Sequence, residues 1–323
     1  MGKQWRWLAK IFAFFGAGVG LFGIGTFTQV NGIASAVKNF FDPNTVHTVS
    51  LFGNTYSWAT VIACLILTLC VGLVVLGGIQ RIAKVSQIIV PFMAVLYVAL
   101  ALIIVITNIT AVPGAIATIV KTAFSGSALA GGAMGTMVVA MQKGIARGIF
   151  SNESGLGSAP IATATVKSND PIRQGLVAMT STFFGTVIIC TLTGLCVVLT
   201  GAWKENLMGI SIADYAFTKG LPFPSIVCSL LILLCIICFA FTTIIGWNLY
   251  GVKCLDYLTK GNVKIQRIYN WLYILMVFIG AFLKIDLIWN LAEIINALMA
   301  IPNLIAILFL TNDIAKDTNL YFK

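Results

Sequence analysis

Histidine is nearly missing from this sequence, and charge is scarce. His47 is the only histidine, and Asp and Glu together number 10 against 20 Lys and Arg in 323 residues. A lone loop histidine without a partner cluster gives almost no support to zinc or to histidine-based acid–base chemistry. A paired carboxylate and an activated nucleophile are lacking too, so an enzyme reading has nothing to build on. Charged residues make up 9% of the chain, against roughly 25% in soluble domains, which excludes a soluble protein. No alternating strand pattern is present, leaving helices rather than a closed barrel to satisfy backbone groups in lipid. No repeated filter sequence suggests an ion channel. The eight cysteines are not paired for chemistry either. "CIIC" at 235–238 has a redox or metal spacing, but no histidine or second pair lies near it. Small packing hydrophobes with free thiols are expected.

What the chain has is apolar length. Hydrophobic residues make up 59% of it, and mean hydropathy is +0.99. About 20 apolar residues cross a bilayer as helix, and eight spans qualify: 11–37, 58–79, 88–109, a region around 131–166, 172–200, 224–250, 269–285 and 287–311. The expected fold class is an all-α polytopic membrane protein with about eight transmembrane helices. The net charge of +10 follows topology rather than nucleic acid. With a cytoplasmic N-terminus, fifteen Lys and Arg fall in inner segments and five in outer ones, the latter Lys38, Lys121, Lys204, Lys219 and Lys284. That is the positive-inside bias, and an even span count returns the C-terminus to the cytoplasm. The basic start resembles a signal peptide, but its apolar stretch exceeds the roughly 7–15 residues of one.

Polar residues inside the spans carry the functional argument. Span 11–37 contains "GVGLFG", which lacks the strand context of a dinucleotide fingerprint; its glycines fit close helix approach in lipid. Phe22, Thr26 and Gln29 lie at i, i+4, i+7 and are expected to share a helix face, with Asn31 projecting elsewhere. Gln29 then either faces a substrate inside the bundle or makes an interhelical hydrogen bond. The segment 38–57 reads as a loop, and Pro91 as a kink. Residues 112–125 read as a short amphipathic helix, followed by the glycine-rich "GSALAGGAMG". Loops are expected at 201–223 and 251–267. The last span holds Glu293, Asn296, Pro302 and Asn303, an unusual polar load.

The densest polar cluster is "RGIFSNESGLGSAPIATATVKS", Arg147–Ser168. Irregular backbone at membrane depth is tolerated where it lines a cavity or is buried in protein. Transporters use such breaks as sites, with half-helix N-termini meeting carboxylates and unwound carbonyls meeting Na⁺ or ammonium. Gly155 and Gly157 permit positive φ, and Ser158 could cap a second half-helix running from Ala159 to about Lys167, with Pro160 in its first turn. Three readings stand. The segment is a mid-membrane break with Arg147 opposite Glu153, a cytoplasmic gate loop, or an ordinary polar turn. A second cluster, "AFTTIIGW", offers hydroxyl and carbonyl oxygens to a small hard cation. From these residues alone, back-bonding of each hydroxyl to an i−4 carbonyl is the simpler reading. Trp247, one turn on, either walls a pocket or packs.

Here the residues become recognisable. "RGIFSNESGLGSAPIATATVKS" with "DPIRQGLV" closely resembles the signature of the sodium:alanine/glycine symporter family (alanine/glycine:cation symporters). "FAFTTIIGWNLYG", "LIWNLAEIINALMAIPNLIAILFL" and "FGIGTFTQVNGIASAV" match other family stretches in order, so the resemblance covers essentially all 323 residues. It implies one transmembrane transporter domain over 1–323 with a leucine-transporter-type inverted-repeat fold. It also implies symport of alanine or glycine with Na⁺, in some members H⁺, by alternating access in a bacterial-type plasma (inner) membrane, without an organic cofactor. By resemblance, Phe22, Gln29, Phe150, Ser151, Asn152, Ser154, Gly155 and Trp247 line the substrate pocket. Arg147, Glu153, Gly157 and Ser158 gate or shape it, and Ala240, Thr242 and Thr243 fall where the fold places sodium. The family's members begin upstream with a broken first helix, whereas "MGKQWRWLAK" resembles the start of the third core helix. The resemblance therefore implies core helices three to ten: a truncated, transport-inactive member, or half of a split transporter with separately encoded N-terminal helices.

Overall fold

The computed structural model describes residues 2–323 except Phe52, 124–133, Ser154, 167–169, Asn206 and Met208. The described chain is mostly helical: α1 Arg6–Phe22, α2 Phe27–Phe41, α3 Trp58–Val75, α4 Gly78–Thr107, α5 Val112–Ala123, α6 Met134–Asn152 and α7 Ser158–Thr163, then α8 Pro171–Thr200, α9 Ile210–Gly220, α10 Ser225–Thr259, α11 Val263–Gly280 and α12 Ile285–Tyr321. Among the described residues six helical stretches are long and apolar enough to span a membrane, the first being Lys3–Phe41, which contains α1 and α2. α11 (18 residues) and α6 (19 residues) are not among the six. The expected amphipathic helix at 112–125 is α5.

Four expectations need correction. The loop expected at 201–223 contains α9, Ile210–Gly220. Span 11–37 is not one helix: α1 stops at Phe22 and α2 starts at Phe27. The segment 38–57 is not all loop, because α2 runs to Phe41 and an antiparallel hairpin pairs Thr48–Leu51 with Asn54–Ser57. The loop at 251–267 is largely helix. α10 continues to Thr259, nine residues past the apolar run expected to end at 250, and only Lys260–Asn262 separate it from α11. Hydropathy marks where lipid ends, and a helix can continue into water. Lys260 and Gly261 make the turn at φ 53° and 83°, and the Asn262 side chain accepts from the Lys264 and Ile265 amides to start α11, an ordinary cap.

The chain divides into two compact units. The first comprises 1–90, 153–181 and 237–323. Its core joins Ala13, Ala17, Leu21, Val30, Ile33, Val71, Ile244, Tyr269, Tyr273 and Val277, all buried. Small residues let α1 lie close to its neighbours: a Cβ on Gly16 would fall 2.6 Å from the Cys254 sulfur. The second unit comprises 91–152 and 182–236. There the Tyr97 hydroxyl meets Thr193 Oγ1 at 2.6 Å, and its ring lies 5.1 Å from that of the fully buried Phe217. The division falls between Asn152 and Glu153, inside the polar cluster picked out from sequence.

Candidate substrate and cation site

The break between α1 and α2 follows from two local facts. Gly23, Gly25 and Thr26 put weak helix formers in succession, and Gly25 lies against Trp247 of α10, where a Cβ would enter the indole ring. Helix termini leave amides and carbonyls without intrahelical partners, so the break must answer for them. Gly23 N donates to Val19 O at 2.7 Å, and Thr26 N to Gly23 O at 3.1 Å. The Ile24 carbonyl accepts from the Thr28 hydroxyl, and from Gln29 Nε2 at 3.3 Å. Thr26, fully buried, turns its hydroxyl back to Gly20 O at 2.6 Å and meets Tyr273 Oη at 2.9 Å; Tyr273 donates to Ile244 O at 2.6 Å. The Phe22 and Phe27 rings meet edge-on at 5.8 Å across the break.

The shared face expected for Phe22, Thr26 and Gln29 therefore does not arise by helical spacing, because the helix is interrupted between the first two. Gln29 is half-buried and spends an amide hydrogen on the break itself rather than on another helix. Asn31 does point away, donating to Leu283 O at 3.3 Å. In α10, Thr242 bonds back to Cys238 O and Phe239 O at 2.9 and 3.0 Å, and Thr243 to Phe239 O at 2.8 Å. This is the back-bonded arrangement, and it leaves the Thr243 hydroxyl lone pairs for a further ligand. Ala240 is buried one turn before. Trp247 is buried and meets Tyr250 edge-on at 5.3 Å.

The polar cluster forms a closed turn. Glu153, Gly155 and Gly157 have φ of 53°, 72° and 84°, so both glycines adopt the conformation their composition suggests. Ser158 Oγ donates to Glu153 Oε2 at 2.7 Å, closing the turn, and Asn303 Nδ2 of α12 donates to Gly155 O at 3.0 Å. Ser158 does not cap α7. Its hydroxyl is committed to Glu153, and Gly157 stands at the N-cap position without a side-chain bond. The expected half-helix to Lys167 is short, since α7 ends at Thr163, with turns at Ala164–Thr165. Ser154 lies outside the described residues. Phe150, Ser151 and Asn152 end α6 in the second unit. There Ser151 Oγ meets Cys190 Sγ at 3.3 Å and Asn152 Nδ2 donates to Thr186 Oγ1 at 2.8 Å. Arg147 is half-buried in α6.

In the first unit, then, the structure gathers Phe22 and Gln29 at a helix break and sets the break against Trp247. Sequence reasoning missed the break, the Tyr273 hydroxyl, and the role of Asn303. Two glycines followed by threonine in mid-span were the available signal for the first. An apolar groove of about 670 Å³ in the same unit, lined by residues such as Ile33, Trp58 and Leu67, includes none of the predicted site residues.

Interrupted membrane helices recur as binding sites in transporters, and comparison with known proteins shows the family. A profile described as the sodium:alanine symporter family matches residues 1–323. The chain belongs to that family. Among its relatives, an uncharacterized transporter of Haemophilus influenzae is 47% identical over 98% of this chain and 66% of its own length. The sodium/alanine symporter AgcS of Methanococcus maripaludis is 39% identical over 97% of this chain and 65% of its own length. The probable sodium/glutamine symporter GlnT of Bacillus subtilis is 37% identical over 82% and 54%. The chain thus spans just under two thirds of the length of the first two relatives. The family match runs along the whole chain and lends nothing to the expectations of truncation or separately encoded helices. Family membership and the apolar helices make this a multi-pass membrane protein of a transporter family.

Proposed function

We propose that this protein is a Na⁺-coupled symporter of small neutral amino acids, alanine or glycine, working by alternating access on a leucine-transporter-type inverted-repeat scaffold of about eight membrane helices. The observation that carries the reading is the break at Gly23–Thr26, held against buried Trp247. It supplies unwound backbone beside an aromatic wall, inside a bundle with little charge. A zwitterionic substrate can be held there by backbone dipoles and by Gln29, so few charged side chains are needed. Phe22 and Trp247 bound the apolar part of the pocket, and the family resemblance assigns Phe150, Ser151, Asn152, Ser154 and Gly155 to substrate binding as well. Arg147, Glu153, Gly157 and Ser158 act on access to it. Carbonyl and hydroxyl oxygens of Ala240, Thr242 and Thr243 receive the coupling Na⁺. The charge distribution supports cytoplasmic termini in a bacterial-type plasma membrane.

Uptake of labelled alanine into proteoliposomes, with and without an inward Na⁺ gradient, tests the reading. Uptake should rise several-fold with the gradient, and Thr243→Ala should reduce its Na⁺ dependence more than Thr110→Ala. Folded protein that takes up no alanine or glycine under a Na⁺ gradient would sink the proposal.

A further inference from the structure

The oxygens around Thr26 do not balance their protons. Four oxygens stand in a row: Gly20 O, Thr26 Oγ1, Tyr273 Oη and Ile244 O, separated by 2.6, 2.9 and 2.6 Å. All three separations are hydrogen-bond distances. The two ends are carbonyls, which only accept, so the three contacts share the two hydroxyl protons of Thr26 and Tyr273. If Thr26 donates to Gly20 O and Tyr273 to Ile244 O, nothing lies between the two hydroxyl oxygens. Any other assignment moves the missing proton to one of the carbonyls. The cluster is buried, with Thr26, Tyr273 and Ile244 at 0% exposure, so bulk water does not screen the repulsion between facing lone pairs.

Thr26 could have avoided this. It is the N-cap residue of α2, where a threonine hydroxyl ordinarily accepts from an amide of the first helical turn. Its side chain makes no such bond and faces acceptors instead. Gly20 O belongs to the last turn of α1, the negative end of that helix dipole. The arrangement has an excess of lone pairs and a deficit of positive charge.

We propose that these four oxygens bind a Na⁺ ion, at a site built on the α1–α2 break and distinct from the hydroxyls at 242–243. A hard cation takes oxygen ligands, and unwound carbonyls with the C-terminal end of a half-helix are the ligands that suit it. With the ion in place, each oxygen offers it a lone pair and no contact needs a third proton. Ile244 follows Thr243 directly in α10, so the site joins the helix break to the helix that carries the threonines. The inference rests on the reading of the chain as sodium-coupled, but its test is binding rather than transport, so the two fail separately.

The experiment is ²²Na⁺ binding to the purified 323-residue chain in detergent, with choline replacing Na⁺ as the control. Wild-type protein should bind saturably and melt at a higher temperature in NaCl than in choline chloride. Thr26→Val, nearly isosteric, should remove one of the ²²Na⁺ ions bound at saturation, or raise the half-saturating concentration of that component about tenfold or more, and reduce the Na⁺-dependent rise in melting temperature. Thr26→Ser should restore both, which a purely packing role for the methyl group would not. Tyr273→Phe is the second variant, expected to weaken binding in the same direction should Thr26→Val fold poorly. Wild-type ²²Na⁺ binding in both Thr26→Val and Tyr273→Phe would overturn the proposal, as would loss of binding in Thr243→Ala alone. Competitive displacement of ²²Na⁺ by L-alanine would also overturn it, assigning the oxygens to a substrate ammonium. Loss of uptake with ²²Na⁺ binding intact would count against symport and leave the site standing.

Discussion

Two interruptions in the first unit, at 23–26 and at 153–157, use glycine for different ends. At 23–26 no residue has positive φ; Gly25 is there because Trp247 occupies the space a Cβ would need. At 153–157 three of the described residues have positive φ, and glycine serves the backbone conformation. The closures differ as well. The first break is held by hydroxyls from Thr26 and Tyr273 reaching carbonyls in α1 and α10, which ties three parts of the unit at one buried point. The second is closed locally by Ser158 on Glu153 and fastened to α12 by one amide, Asn303 on Gly155 O. A break defined by what lies opposite suits a binding surface; one defined by its own backbone suits a turn that keeps its shape while its surroundings move.

The sharpest way to break this contrast is substitution at Gly25. Gly25→Ala puts a methyl group into a buried indole, with no flexible chain end to yield, and should cost about 3 kcal/mol and abolish alanine uptake. Thermal melting and uptake together check it; unchanged melting would mean the break is looser than described. Next in size is Gly157→Ala, where positive φ is compounded by Asn303 Cγ at 2.8 Å and Phe12 Cε2 at 2.6 Å from the new Cβ. About 2 kcal/mol of destabilisation is expected. Gly201 has φ 74° and no atom within 4 Å of a Cβ, so Gly201→Ala should show the backbone cost alone, about 1 kcal/mol. If the two alanine variants melt alike, the packing of Gly157 against α12 contributes nothing.

Asn303→Ala probes the fastening itself. Removing the amide leaves Gly155 O without that donor, a loss of about 1–2 kcal/mol, and should make a cysteine placed at Gly155 react faster with a thiol reagent. A reaction rate unchanged by Asn303→Ala would mean the turn holds itself. Asn296, one face of the same helix, is the reverse case. It is fully buried, and neither amide atom has a hydrogen-bond partner among the described residues. Asn296→Leu should raise the melting temperature by a few degrees, since an apolar side chain of similar size removes an unmet desolvation cost.

Much of this was readable in the sequence, and the unread part has a physical reason. Apolar length located helices beginning at Trp58, Pro171 and Ser225, and turn chemistry anticipated the conformations of Gly155 and Gly157. Helix ends beyond the lipid-compatible run, as in α10, have no hydropathy signature. The break at 23–26 was hidden because glycine in an apolar span signals close approach and interruption alike, and only the position of Trp247, over 200 residues away in sequence, separates them. Asn303 and Tyr273 were illegible for the same reason. Each acts on a carbonyl, and backbone groups carry no sequence signature.

The smallest expected effect lies outside both interruptions and gives them a reference. Asp42, just after α2, accepts from the Ser57 hydroxyl at 2.5 Å and from Val46 N at 2.8 Å, which ties the hairpin to the helix end. The Ser57 hydrogen bond, then the Val46 amide, hold its carboxyl below the usual carboxylate range. A carboxylate whose folded-state pKa is depressed stabilises the fold at pH values above its unfolded value, near 3.9, and that stabilisation is lost as pH falls through the folded value. Asp42 should therefore make melting temperature insensitive to pH near neutrality and let it decline below about pH 4. Ser57→Ala removes the larger cause, so its melting curve should lie below wild type at pH 6 and approach it in acid. Because the break at 23–26 is held by hydroxyls and carbonyls that do not titrate in that range, Thr26→Val should shift the whole pH profile down without changing its shape. A profile that changes shape in Thr26→Val would show that the break and the hairpin end of α2 are coupled, and would overturn the separation drawn between them.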